Sequence, residues 1–113
     1  MSEVSQFESQ IKNLQPAVDR KALLMKLERN RDFQKFIELF TIEDCARYMH
    51  ESMDLCLTEE QRNAALTMSR GAGALVQWIA NAILIGTQHE NSISQYKEAI
   101  EEIRQSGEDE DGE

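Results

Sequence analysis

The sequence has little of what a β-rich or multidomain protein needs. It contains one proline and five glycines in 113 residues, and only 6% of its residues are aromatic. Alanine, leucine, glutamate and glutamine outweigh the turn formers and β-branched residues, which disfavours an all-β fold. A chain of this length fits one small domain, which excludes a multidomain enzyme. We therefore predict an all-α protein with a single helical domain over residues 1–107.

Long apolar runs are also missing. The longest stretch that is poor in charge, residues 71–86, contains Gln77 and Asn81 and is shorter than the roughly 20 apolar residues that span a bilayer. The first residues show no basic segment followed by an apolar one, so no secretory signal is expected. These features predict a protein of a reducing cytoplasm with no membrane partner.

The sequence has only two cysteines and two histidines. Cys45 and Cys56 would lie ~16 Å apart along one helix, whereas a disulfide needs Cα atoms within about 7 Å. We interpret both as small buried apolar residues. His50 and His89 occur in no HExxH, ExxH or CxxC context, and residues 71–73 lack the remaining glycines or lysine of a phosphate-binding loop. No metal, cofactor or catalytic residue is therefore predicted.

The first part of the chain shows a series of short helices. Ser5 and Glu8 have the capping-box pattern of a helix start, and Pro16 should then break or kink that helix or open the next one. The second helix, over residues 17–29, should end near Asn30.

Two further helices are predicted within residues 32–54. Phe33, Phe36 and Phe40 fall on one helical face, which makes the three rings core candidates. Thr41 is a candidate N-cap of the following helix, because acidic residues occupy its first turn and apolar residues then recur at helical spacing.

The last helix, which begins with the capping-box pattern of Thr58 and Gln61, carries the most informative pattern. Small and apolar residues alternate at spacings of three and four for more than five heptads, which is typical of a long helix packed on another helix. An unbroken helix over residues 59–105 would be ~70 Å long, whereas a compact chain of this length has a radius of gyration of only ~13 Å. Either the helix breaks at Gly86 or a partner chain lies along it. We expect burial partly by the chain itself and partly in a homo-oligomeric helical bundle, with these interface residues: Ala65, Met68, Ala72, Leu75, Ile79, Ala82, Gly86, Ile93, Tyr96, Ile100 and Ile103.

Charge is distributed unevenly. Residues 108–113 contain five acidic residues and no apolar one, which predicts a disordered acidic tail. Removing those five charges from −9 leaves −4 for residues 1–107. Between residues 20 and 35 six basic residues face two acidic ones, a net +4. This segment is either a solvated helix face or a docking patch for the acidic tail of a neighbouring copy or for an acidic or phosphate-bearing partner. Its basic residues are Arg20, Lys21, Lys26, Arg29, Arg31 and Lys35.

Three segments, residues 30–33, 43–49 and 71–79, carry a resemblance to known proteins. Together they resemble small helical proteins encoded by tailed bacteriophages, over residues 30–104. The sequence departs from that pattern at residues 53–58, where a proline-containing turn is expected. The resemblance implies a virion or assembly component that occurs in the host cytoplasm or the virion, without catalytic residues.

These observations favour a non-enzymatic helical interaction protein that self-associates through the stripe, as a phage structural, assembly or accessory factor. Its partners would be further copies of itself and other phage or host proteins. Direct binding to nucleic acid is not expected, because a charge of −9 repels the phosphate backbone. One alternative is an acidic decoy that inhibits a host protein by occupying its DNA-binding or nuclease surface. Another is an oligomer that sequesters a small ligand, with Arg47, Arg62 or Arg70 as phosphate contacts.

Overall fold

The computed structural model describes residues 2–107, and no strand occurs among them. A π-helical segment joins the second helix to the third without a break. The all-α prediction with a long last helix is therefore confirmed, while the predicted acidic tail, residues 108–113, lies outside the described residues. In chain order the elements are α1 (Glu3–Glu28), α2 (Arg31–Glu38), the π-helical segment (Leu39–Asp44), α3 (Cys45–Ser52) and α4 (Glu59–Ser106).

The chain divides into two compact units, and each contains part of α4. Of the described residues, the hairpin unit contains 2–23 and 82–107, and the groove unit is Leu24–Asn81. In the hairpin unit, α4 packs against the first part of α1. In the groove unit, α4 packs against α2, the π-helical segment and α3.

The first helix is a single helix that contains Pro16 in its interior, so the prediction of two helices separated at this proline is wrong. The proline ring removes one backbone hydrogen bond, to the carbonyl of Lys12. Both Lys12 and Pro16 are exposed, so water can bind the freed carbonyl. The helix start is also different from the prediction, because Ser2 Oγ, and not the side chain of Ser5, accepts a bond from the Ser5 amide at 3.0 Å.

The hairpin unit holds two antiparallel helical stretches together through contacts spaced along their length. The rings of Phe7 and Tyr96 lie 5.4 Å apart. Lys21 forms an ion pair with Glu90 at 2.5 Å, and Arg104 lies 3.7 Å from a carboxylate oxygen at the other end of the unit, on Glu8. These three contacts join α1 to the second half of α4.

Gly86 lies at the closest approach of the two stretches. A Cβ atom at this position would collide with the Cβ of Lys21 and would lie 2.9 Å from the carbonyl oxygen of Ala17. Glycine therefore allows α1 to pack directly on the backbone of α4. The helix continues through Gly86, so the alternative of a break at this residue is excluded.

Two capping interactions fix the starts of helices in the groove unit. Asn30 Oδ1 accepts a bond from the Phe33 amide at 2.9 Å and starts α2, which confirms that the preceding helix ends near Asn30. Thr58 and Gln61 form both bonds of a capping box, at 3.0 Å and 3.1 Å. That confirms the predicted start of α4.

The segment between these caps differs from the prediction in two respects. Thr41 is not an N-cap: it lies inside the π-helical segment, and its Oγ1 donates to the Ile37 carbonyl at 2.5 Å. This bond satisfies the threonine hydroxyl within the helix, so the hydroxyl does not act as a cap. The three phenylalanine rings are also not a core, because Phe36 is exposed and Phe33 and Phe40 are only half-buried.

Candidate interaction surface

Exposed large apolar side chains are concentrated in the groove unit. Of the thirteen found among residues 2–107, ten lie in this unit and three in the hairpin unit. Single exposed apolar residues are common on soluble proteins, whereas concentrations of them mark interaction sites. Those of the groove unit are Leu27, Phe36, Leu39, Ile42, Met49, Met53, Leu55, Met68, Val76 and Trp78.

An apolar groove of about 480 Å³ opens between α4 and the α2 side of this unit. Its floor is apolar, and Gln34 at its edge donates from Nε2 to the Glu28 carbonyl at 2.7 Å. That bond occupies one of the carbonyls left free at the end of α1 and fixes the turn into α2. The residues that line the groove are Glu28, Phe33, Gln34, Ile37, Glu38, Ile42, Val76, Ile79 and Ala80.

Small residues make up much of the core of the groove unit. Ala72, which is 1% exposed, and Ala65 are among its most buried members. Ser69, a buried polar residue, lies with its hydroxyl 3.5 Å from the thiol of Cys45. Such small side chains bring the helices close together but leave the larger apolar residues of α2 and the π-helical segment at the rim.

The heptad stripe predicted as an interface is largely covered by the chain itself. Ala65, Ala72 and Ile79 are buried in the groove unit, and Ala82, Gly86, Ile93 and Ile100 are buried in the hairpin unit. Leu75, Tyr96 and Ile103 are half-buried, and Met68 is the exposed exception. Contacts between copies are not needed to cover this stripe, and the apolar residues left open lie mostly elsewhere.

The six basic residues of the predicted docking patch are divided between the two units. Arg20 and Lys21 belong to the hairpin unit, where Lys21 is held by Glu90. Lys26, Arg29, Arg31 and Lys35 lie exposed in the groove unit and form no ion pair with residues 2–107. These four belong to the same unit as the apolar groove, although none of them lines it.

Two of the three arginines predicted as phosphate contacts already bind other groups of the described chain. Arg47 pairs with Asp44 at 3.5 Å and with Glu51 at 3.4 Å, and its guanidinium carbon lies 4.6 Å from the ring centre of Tyr48. Hydrogen bonding to Tyr48 and then to Asp44 raises the pKa of Arg47 above its usual range. Arg62 donates to the Leu57 carbonyl at 2.5 Å. Arg70 remains exposed on α4.

The other polar groups show no assembled site within residues 2–107. Cys45 is half-buried and Cys56 is exposed, and both thiols are free, so the interpretation of Cys56 as buried is wrong. His89 Nδ1 is buried and lacks a hydrogen-bond partner in this part of the chain. No three His, Cys, Asp or Glu side chains of the described residues are placed together as a metal site requires.

The sequence pattern does not identify three surface residues of the groove unit: Phe36, Leu39 and Ile42. The aromatic spacing predicts Phe36 in the core, whereas the structure leaves all three residues exposed. The signal was present, because six of the ten residues from Phe33 to Ile42 are apolar, more than one face of a helix can bury.

Comparison with known proteins gives no further indication: no family model, curated protein or solved structure matches this chain. Within residues 2–107, no helix has both the length and the apolar character that a membrane span requires.

Proposed function

We propose that the chain is a non-enzymatic interaction protein that self-associates and serves as an assembly or accessory component. The observation that carries this proposal is the concentration of exposed apolar side chains in the groove unit. Burying such area against another protein surface contributes about 25 cal/mol for each Å² removed from water. A helical unit with apolar residues on both its inner and its outer faces gains stability by association.

We further propose that the protein works in a bacteriophage setting. The resemblance of residues 30–104 to small helical proteins of tailed bacteriophages supports a role in the host cytoplasm or in the virion. Its partners are then further copies of the chain and other phage or host proteins. These partners bind to the exposed face of the groove unit.

The test is the absolute mass of the purified protein by light scattering behind a sizing column, over a hundredfold concentration range. The proposal predicts a mass that rises with concentration towards a multiple of 13.0 kDa. A mass of 13.0 kDa at every concentration contradicts self-association.

Two additions to the same run separate the alternatives. A variant that ends at Gly107 keeps its mass profile if the helices carry the association, whereas an acidic decoy loses binding to its partner. The ratio of absorbance at 260 nm to that at 280 nm stays at the value for protein alone under our proposal. Excess absorbance at 260 nm would instead indicate a sequestered nucleotide.

A further inference from the structure

In the groove unit, the outward face of α2 and the π-helical segment carries opposite charges at its two ends. Arg31, Lys35, Leu39 and Glu43 recur every four residues, and all four are exposed. A spacing of four keeps side chains on one face of a helix, and the wider π-helical turn preserves this alignment. We call these four residues the outer row. Its basic end comes first, its apolar centre is Leu39, and its acidic end is Glu43.

The charges of the outer row have no partner within the described chain. Neither Arg31, Lys35 nor Glu43 forms an ion pair with any of residues 2–107. Lys35 and Glu43 lie ~12 Å apart along the helical axis, which is too far for a direct pair within one chain. The two ends of the row are therefore available to another molecule.

The centre of the row is extended by two exposed apolar neighbours. Ile42 is 64% exposed and Phe36 is 49% exposed. The Phe36 ring lies 6.1 Å from that of Phe33 and 6.0 Å from that of Phe40, and these contacts hold it in place. An apolar centre between charged ends is the arrangement of a protein interface with a polar rim.

We infer that the outer row is an interface between two copies of the chain, paired antiparallel about a two-fold axis at Leu39. The inference rests on the proposed self-association and names the surface that carries it. In this pairing Lys35 of each copy meets Glu43 of the other. The same symmetry places Arg31 opposite Arg47, whose charge Asp44 and Glu51 offset within its own chain.

A second copy is favoured as the occupant because the row is complementary to itself. A two-fold interface uses the same patch on both partners, so each residue must match the residue that symmetry places opposite it. Antiparallel pairing places Lys35 against Glu43 twice and the apolar centre against its own copy. Parallel pairing would place like charges together, which opposes association.

The first test reverses the two central charges and measures the dimer dissociation constant by sedimentation equilibrium. Lys35→Glu and Glu43→Lys should each raise the Kd about tenfold, because two attractive pairs become repulsive. The double variant, and an equimolar mixture of the two single variants, should return to the wild-type Kd. Lys12→Glu, at an exposed site of the hairpin unit without an ion pair in the described chain, is the control for the change in net charge made by Lys35→Glu.

The second test removes the apolar centre. Leu39→Ser should raise the Kd about tenfold, whereas Leu84→Ser should leave it within about twofold. The two leucines are 53% and 55% exposed, so neither change opens a core. Circular dichroism should show the wild-type helix content for both.

The outcomes distinguish this inference from the proposed function. An oligomer whose Kd is unchanged by Lys35→Glu and by Glu43→Lys overturns the outer-row interface and leaves self-association standing. A double variant as weak as the single variants also overturns it. A wild-type chain that stays monomeric at every concentration overturns both.

Discussion

The two units of this chain use the long helix α4 in different ways. In the hairpin unit, ion pairs and a ring contact join residues from opposite ends of the sequence, and three large apolar side chains are exposed. In the groove unit, the ion pairs are confined to neighbours in one helix, around Arg47, and ten large apolar side chains remain exposed. The difference suggests that contacts in the hairpin unit stabilise the fold, whereas the groove unit carries the surface for association.

The contrast begins with residue size at the helix contacts. Gly86 lets α1 approach the backbone of α4 in the hairpin unit. The glycines of the groove unit, Gly71 and Gly73, face open space, with nothing within 4 Å of a Cβ placed on them. Glycine therefore serves packing in one unit, whereas in the other it only weakens the helix.

The largest effect is expected from a charge buried in the groove unit. Ile79→Asp should lower the free energy of unfolding by about 3 to 5 kcal/mol, because the buried aspartate has no partner. Ala74→Asp, at an exposed site of the same helix, should cost about 0.7 kcal/mol or less. Urea titration followed by circular dichroism measures both.

The same variant distinguishes a core residue from an interface residue. If Ile79 were covered only by a second copy, Ile79→Asp would give a monomer that unfolds at the wild-type urea concentration. That result would contradict the packing of the groove unit.

A pair of glycine substitutions should have opposite signs in the two units. Gly86→Ala should lower the free energy of unfolding by about 1 to 2 kcal/mol, since its methyl group meets the backbone of Ala17 and strain exceeds the gain in helix propensity. Gly73→Ala should raise it by about 0.5 to 1 kcal/mol, because only the propensity term acts there. Thermal melts of the two variants side by side suffice, and equal stabilisation in both would refute the close approach at Gly86.

A smaller effect is expected from the ion pairs of the hairpin unit. Lys21→Met should cost about 1 kcal/mol, because its side chain is only 16% exposed and the pair is short. Arg104→Met should cost less than about 0.5 kcal/mol, because that pair is long and exposed on both sides. Raising the salt concentration should reduce both differences, and a larger loss for Arg104→Met than for Lys21→Met would reverse the ranking.

Helix boundaries set by local chemistry could be predicted from the sequence. The capping box of Thr58 and Gln61 and the end of the preceding helix near Asn30 depend on residues three or four positions apart, and such pairs act whatever the tertiary context. The heptad stripe likewise identified the face of α4 that is buried. It did not identify what covers that face, because α1 comes from the other end of the sequence.

The remaining errors concern positions where tertiary packing overrides local preference. Pro16 is tolerated in α1 because its site is exposed, and Gly86 continues α4 because a neighbouring helix requires the space. The sequence pattern predicts Thr41 as an N-cap, but the residue lies inside a continuous helical run at the π-helical segment. The exposure of Phe36 could not be predicted from spacing alone, since spacing gives a face but not the side on which the core lies.

The most direct test of the central claim is hydrogen exchange of the wild-type chain, measured by mass spectrometry at low and at high protein concentration. If the stripe is covered within the chain and the groove unit is the association surface, amides of residues 82–100 are equally protected at both concentrations. Amides of residues 31–44 then gain protection only at the higher protein concentration. Protection that rises with concentration along residues 82–100, and not in residues 31–44, would contradict the account.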